Sequence, residues 1–420
     1  MLVGLKQAND SVAKVGAKRP TLNVQFPSGS ASRILEIEAL DVDRCAFDVL
    51  QLNTPLVESI RETIRAQGPQ SFAWFMEQAL YHPEYGYYAS GRCAIGREGD
   101  YFTNVSIGPL FGQLLGAQFA EIWEQLGKID NFMIVEQGLH DGQFACDVLQ
   151  SVQERAPEFF EALHYRIIEQ FPILRERQSH VLNQFRNKIE WCDSLAPFTG
   201  IHFSNELLDA MPVRLTNARL EKFVDLQDDG FVLVDRPCSN RDFNQATLDW
   251  LDSVAANLQR GYVIAIDYGH SGGSGQDIQV RAQHRHLDSP FEQIGHADIT
   301  MHIDWTSIAH RAEDDGLTIA GFADQHHFLT GIISTWPDLL QPFPKNSAAS
   351  NRPVQVANPD HKTKRAIQTL LHPEMLGRAF QVLALAKNVG TQAPGLTGFK
   401  FAHAPRVALG LGNPPAAECR

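Results

Sequence analysis

VEQGLHDGQFACDVL, residues 135–149, reads as a short apolar run ending in Glu136, a turn carrying Gly138 and Gly142, and a helix beginning near Gln143. A strand, a glycine turn and a helix N-terminus in succession form a ligand-binding corner: glycine lets the backbone approach a ligand, and the first helical N–H groups have no intrahelical acceptor. On its own the segment is more often a plain turn than a nucleotide-type site. Its meaning comes from what repeats around it.

From residue 131 onward, short apolar runs alternate with helical segments, the pattern of a mostly parallel sheet wrapped on both faces by helices. Strands are expected at FMIVEQ, YRIIE, KIEWC, GIHFSNE, GYVIAIDYG, LTIAGFAD and FQVLALAKN, seven in all. The second ends at Glu169, where doubly wound folds place a carboxylate that receives ribose hydroxyls; the bland alternative is a helix-capping glutamate. The third ends at Trp191 and Asp193, candidates to flank and hold an adenine ring. The fourth ends in SNELLDAMP, putting Asn205, Glu206 and Asp209 at the strand C-terminus, either as polar site groups or as an N-cap with first-turn acids. The fifth ends at Asp267, Tyr268 and His270, with a backbone-bonded buried aspartate as the simpler reading of Asp267.

Upstream, PLVESIRETIRAQG and SFAWFMEQALYHP read as two amphipathic helices, and GPLFGQLLGAQFAEIWEQLG as a third. The loop between them offers Gly99, Asp100 and Thr103 as cofactor contacts. Residues 1–55 read as a poorly ordered extension, 56–130 as a helical region, 131–390 as the catalytic domain with insertions at 206–261, 270–316 and 333–365, and 391–420 as a weakly ordered tail. In the first insertion, alternation around Asp228-Asp229-Gly230 predicts a β-hairpin able to serve as a lid.

The 420 residues carry 49 acidic against 36 basic side chains, a net charge of -13, which provides no global attraction to nucleic acid or anionic lipid. No apolar run reaches the length of a membrane span. Six cysteines lie far apart without a C-x-x-C pair, and the histidines at 284–286 and 326–327 lack ligand spacing, so no metal site is expected. The chain reads as soluble and cytoplasmic, with a mitochondrial matrix setting as the alternative because residues 1–35 are basic and serine-containing.

FMEQALYHPEYGYY, IGREGDYFTNVSIGPLFGQLL, the glycine turn, YRIIEQFPILRERQ, FSNELLDAMPV, IAIDYGH, ADITMHIDWTSI and DQHHFLTGI occur in the order found in the MidA family of S-adenosylmethionine-dependent methyltransferases, which the chain resembles over residues 56–388. The resemblance implies a class I methyltransferase sheet, S-adenosyl-L-methionine as cofactor, and a protein side chain, arginine foremost, as acceptor, with a respiratory complex subunit as the substrate of mitochondrial relatives. It implies a cofactor site at Glu136, Gly138, His140, Gly142, Glu169, Asp193 and Asn205, and acceptor chemistry at Asn205, Glu206, Asp209 and Asp267. Two departures stand out: His140 occupies the central glycine of the family's E-x-G-x-G-x-G turn, and Gln283 stands where a tyrosine is usual. The alternatives are an assembly factor that keeps the fold but has weakened turnover, and a nucleotide-binding oxidoreductase.

Overall fold

The computed structural model describes residues 54–91, 103–217, 219–238, 243–272, 277–283, 285–341, 359–390 and 395–412. Contacts separate residues 1–50 from 51–420, and every described element belongs to the second unit.

Its centre is an eight-stranded sheet: β1 (Phe132–Gln137), β2 (Leu163–Ile168), β3 (Ile189–Cys192), β4 (Phe198–Asn205), β5 (Leu258–His270), β6 (Ile303–Asp304), β7 (Thr318–Asp324) and β8 (Phe380–Lys387). The order is β7-β8-β5-β4-β1-β2-β3, with β6 added in parallel to the C-terminal end of β5. The expected count of seven is thus one short, because two residues of ITMHIDW pair with Gly269 and His270. Strand β8 runs antiparallel to both neighbours, while β1 to β5 are mutually parallel. The strand order reverses beside β1, with β2 and β3 on one side and β4 and β5 on the other. Open α/β sheets place their ligand crevice at such a reversal, outside the strand C-termini.

Burial follows the strand period of two. On β4, Ile201 and Phe203 enter one core with Phe119, Phe144 and Phe380, while His202 faces Trp250 across the opposite face at 5.4 Å between rings. That second face holds Val135, Trp250, Val263 and Trp305.

A third core lies off the sheet. It joins the helices Pro55–Gln67 and Phe72–Tyr81 to the strand Leu220–Gln227 and to the strands Ile278–Ala282 and Asp298–Met301, so three distant segments form one accessory module. The hairpin of Leu220–Gln227 and Gly230–Pro237 turns through Asp228 and Asp229, both at positive φ, as a two-residue loop requires. It is not a lid over the crevice. Val224 is fully buried in the third core, Gln70 and Ser71 pair with Val224 and Phe223, and Arg65 holds Asp229 at 2.7 Å.

The segment expected to be a loose tail also packs: Leu396 and Leu409 are buried, and the Gly398 N–H donates to Gln118 Oε1 at 2.8 Å. Gln283 sits at positive φ in the turn after Ile278–Ala282. Among the described residues, no helix is long and apolar enough to cross a membrane.

Candidate active site

A cavity of about 680 Å³ opens at the C-terminal ends of β1, β2 and β4. Among the described residues, its lining contains the carboxylates Glu77, Glu136, Asp141, Glu169 and Glu206, and neither lysine nor arginine. The cavity therefore favours a cation.

On the β1 side, Gly138 and Gly142 hold φ of 82° and 94°, in the left-handed region that favours glycine. A Cβ on Gly138 would approach the Leu207 side chain to 3.1 Å, so any larger residue there crowds the space between turn and crevice. His140 also adopts positive φ, 54°, a conformation that histidine tolerates better than most residues. Its carbonyl accepts from Gln178 Nε2 at 3.0 Å, which fixes the turn without the usual glycine. The helix Gln143–Arg155 follows, and Asp141 Oδ1 already accepts the Gln143 N–H at 3.0 Å. One helix N-terminal donor is thus used internally.

Glu136 is buried, receives the Tyr165 hydroxyl on Oε2, and has its carboxyl pushed up to about 8 by burial, the tyrosine opposing. Glu169 is also buried; Oε1 accepts the Phe171 N–H at 2.9 Å and Oε2 the Gln178 amide at 3.1 Å. Desolvation raises its pKa and those donors restrain the rise. Each carboxylate oxygen has a second lone pair, so Glu169 can brace its turn and still accept from a ligand. Asp193 does not join it. The edge strand β3 ends at the surface, and Asp193, with 81% of its side chain exposed, forms an ion pair with Arg175 outside the cavity lining. Trp191 donates its indole N–H to Gln178 Oε1 at 3.0 Å, supporting the cavity from behind.

After β4 no helix begins, which removes the capping explanation for SNELLDAMP. Glu206 instead takes φ 53° at the start of an irregular turn, with its N–H on the Ile266 carbonyl at 3.0 Å. Its Oε1 accepts from Asn205 Nδ2 at 2.9 Å and from the Asn104 N–H at 3.3 Å. Burial pushes the Glu206 carboxyl up to about 8, with Asp267 adding to the rise and the Asn205 and Asn104 donors resisting it.

The other two carboxylates expected at the acceptor face elsewhere. Asp267 is buried and accepts the N–H groups of Leu208 at 2.8 Å, Asp209 at 3.3 Å and Tyr268 at 2.8 Å, so it holds the turn rather than lining the cavity. Asp209 lies behind Glu206, buried and absent from the lining, its carbonyl taken by the Met301 N–H at 2.8 Å. A raised pKa follows from desolvation first, then from Asp267, Asp298 and Glu206. Thr103 does line the cavity, reciprocally bonded to Ser106, whereas Gly99 and Asp100 lie outside the described residues. His326 and His327 bond the Leu371 carbonyl and Asp324, and belong to helix-end packing.

Residue-by-residue reading missed Asn104, which is fully buried and joins Asn205 at 3.1 Å and Gln325 at 2.8 Å, completing an amide chain behind Glu206. It also missed Glu77, Tyr81 and Tyr88, which line the cavity from the accessory module. The signal available was their presence in two of the shared family segments.

The chain matches the family described as "Putative S-adenosyl-L-methionine-dependent methyltransferase" over residues 114–249 and 242–323, half of its length. It is 25% identical over 383 residues to the mitochondrial protein arginine methyltransferase NDUFAF7 of Danio rerio, covering 80% of this chain and 87% of that protein. The Homo sapiens protein of the same name is 25% identical over 381 residues, covering 79% and 83%. A Burkholderia thailandensis protein whose crystal structure holds S-adenosyl-homocysteine superposes with a TM-score of 0.72 at 26% identity, covering 84% of this chain and 96% of that one. The two named relatives are mitochondrial, so the cytoplasmic expectation finds no support in them. The positive-φ turn, the buried strand-end glutamate and the cation-favouring cavity fit the cofactor of that family, and the chain belongs to the S-adenosyl-L-methionine-dependent methyltransferases.

Proposed function

We propose that this methyltransferase methylates an arginine side chain of a protein, with Glu206 as the group that orients the guanidinium and receives its proton. The observation that carries the proposal is the hydrogen bonding of Glu206: both protein donors converge on Oε1, from Asn205 and from Asn104, which leaves Oε2 for a ligand in the cavity. The cofactor supplies an electrophilic methyl group on a sulfonium. Gly138 and Glu169 would hold it at the β1 and β2 ends, with Glu136, His140 and Thr103 completing that wall, while Gly142 shapes the turn from outside the lining.

An arginine nucleophile is cationic in water and must lose a proton as the new C–N bond forms. A carboxylate with a pKa near 8 is a better proton acceptor than an ordinary one near 4, and the approaching guanidinium favours its ionised form. The backbone bonds from Leu208, Asp209 and Tyr268 to Asp267 fix the turn behind it, so that the acceptor nitrogen is aligned and alignment supplies much of the rate. The protein nature of the acceptor and the arginine rest on the names of the relatives together with this acid-rich cavity; a mitochondrial matrix setting agrees with those names. A respiratory complex subunit is the first acceptor to try.

The test is transfer of an isotopically labelled methyl group from S-adenosylmethionine to proteins of the source cell, followed by complete hydrolysis. Label in methylarginine supports the reading. Label confined to methyl-lysine, to small molecules or to no acceptor contradicts it.

A further inference from the structure

A chain of buried amides runs to Glu206, and its direction is set at the far end. The last turn of the helix His361–Leu371 leaves the Leu370 carbonyl without an intrahelical donor, and Gln325, the first residue of the helix Gln325–Thr335, supplies one from Nε2 at 3.1 Å. The same nitrogen donates to Asn104 Oδ1 at 2.8 Å, so both of its protons are used. Gln325 Oε1 is buried with no partner among the described residues. Turning the amide over would set that oxygen against two acceptors, so a backbone carbonyl that can only accept fixes its orientation.

Each later amide inherits the direction. Asn104 Oδ1 is committed as an acceptor, which leaves Nδ2 to donate to Asn205 Oδ1 at 3.1 Å, and Asn205 donates from its own Nδ2 to Glu206 Oε1 at 2.9 Å. The Asn104 backbone N–H reaches the same oxygen at 3.3 Å. Asn104 and Gln325 are fully buried and absent from the cavity lining, whereas Asn205 and Glu206 belong to it. Asp209, Asp267 and Asp298 oppose a negative charge on Glu206, and Tyr268, itself beside Arg281, stands among these carboxylates. The donors on Oε1 are what favours the ionised form.

We infer that Asn104 and Gln325 are positioning residues for methyl transfer: the directed amide chain keeps Glu206 Oε1 an acceptor and reserves Oε2 to take the guanidinium proton. This deepens the proposed function and rests on it. Glu206 Oε2 takes one N–H proton while the acceptor nitrogen's pair forms the C–N bond and the S–C pair stays on sulfur. Charge balances, since the carboxylate becomes neutral, the sulfonium becomes a thioether and the methylated guanidinium remains a cation.

The experiment follows the Glu206 carboxyl by carbon-13 NMR of the full chain, labelled at glutamate Cδ and saturated with S-adenosyl-homocysteine. The resonance missing from Glu206→Gln identifies it, and the surrounding aspartates and tyrosine carry no label. Asn205→Leu removes the donor outright and should raise the titration midpoint by about one pH unit, the scale of one charge-assisted hydrogen bond. Asn104→Leu and Gln325→Met, both away from the cavity, should raise it in the same direction and leave affinity for S-adenosyl-homocysteine unchanged. In wild type, acetyl-arginine amide should lower the midpoint, and its neutral isostere acetyl-citrulline amide should not.

Equal responses to the arginine and citrulline amides would remove the arginine reading and the inference with it. A wild-type response specific to arginine, with the midpoint unmoved in both Asn104→Leu and Gln325→Met, would remove the positioning role and leave that reading standing; a purely structural role lowers melting temperature without moving the midpoint. Should these variants fail to fold, neutron diffraction from wild-type crystals below the Glu206 titration decides. Deuterons are expected on Gln325 Nε2 toward Leu370 and Asn104, on Asn205 Nδ2 toward Glu206, and on Glu206 Oε2. A deuteron on Oε1, or either asparagine turned the other way, overturns the inference.

Discussion

Replacing Glu206 by glutamine keeps the volume and the acceptor oxygen that Asn205 and Asn104 bond at 2.9 and 3.3 Å, but converts the cavity-facing oxygen into an amide donor. A charge-assisted hydrogen bond to the acceptor is lost, worth roughly 1.5–3 kcal/mol, so turnover should fall by about ten- to 150-fold or more if proton acceptance is lost as well. The effect on stability has the opposite sign. Because the Glu206 carboxyl titrates near 8 in the folded chain and near 4.5 when unfolded, the folded state holds a proton that the unfolded state has released between those values, and raising the pH through that window destabilises wild type. Glutamine does not titrate. The melting temperature of the variant should therefore gain on wild type as pH rises from about 4.5 to about 8. Turnover with saturating cofactor, calorimetric affinity for S-adenosyl-homocysteine and thermal melts at three pH values measure all of this on one preparation. Full activity in the variant, or a loss of activity matched by an equal loss of cofactor affinity, would refute the acceptor role.

Gly138→Val forces a branched side chain into a left-handed position where even a Cβ comes within 3.1 Å of Leu207, and should abolish binding of S-adenosyl-homocysteine by calorimetry; unchanged affinity would place the cofactor elsewhere. Asp267→Asn turns an oxygen that accepts backbone N–H groups into a donor facing them, so melting temperature and turnover should both drop, whereas Asp193→Asn at the exposed ion pair should leave cofactor affinity within error; the reverse ranking would restore Asp193 to the site. Glu136 is pushed up to about 8, and burial also raises Asp267, so with Glu206 they make the ligand-free protein lose stability as pH rises from about 4.5 to about 8, and a melting temperature that climbs steadily across that range would contradict this burial pattern.

The strand ends were legible because parallel strands buried on both faces write continuous apolar runs, and the residue after each run falls at the crevice. That reasoning placed Glu136, Glu169 and Glu206 where the cavity is. It failed for Asp193 and Asp267, since the position after a strand does not say whether a carboxylate turns toward the crevice, toward solvent as on the edge strand β3, or back onto the chain's own N–H groups as behind the Glu206 turn. The accessory module stayed illegible for another reason. Its core assembles from segments near residues 60, 224 and 299, and no local period reveals that Tyr81 meets the turn at Ala210. Asn104 is a buried amide whose partners, Asn205 and Gln325, lie about 100 and 220 residues away.

The most direct test of the site is a crystal structure of the full chain with S-adenosyl-homocysteine bound. The ligand is expected in the cavity at the ends of β1, β2 and β4, its ribose hydroxyls on the Glu169 carboxylate, its chain passing Gly138, and its sulfur facing the Glu206 side. Ligand found outside that cavity, or inside it with Glu169 making only its bonds to Phe171 and Gln178, would contradict the account.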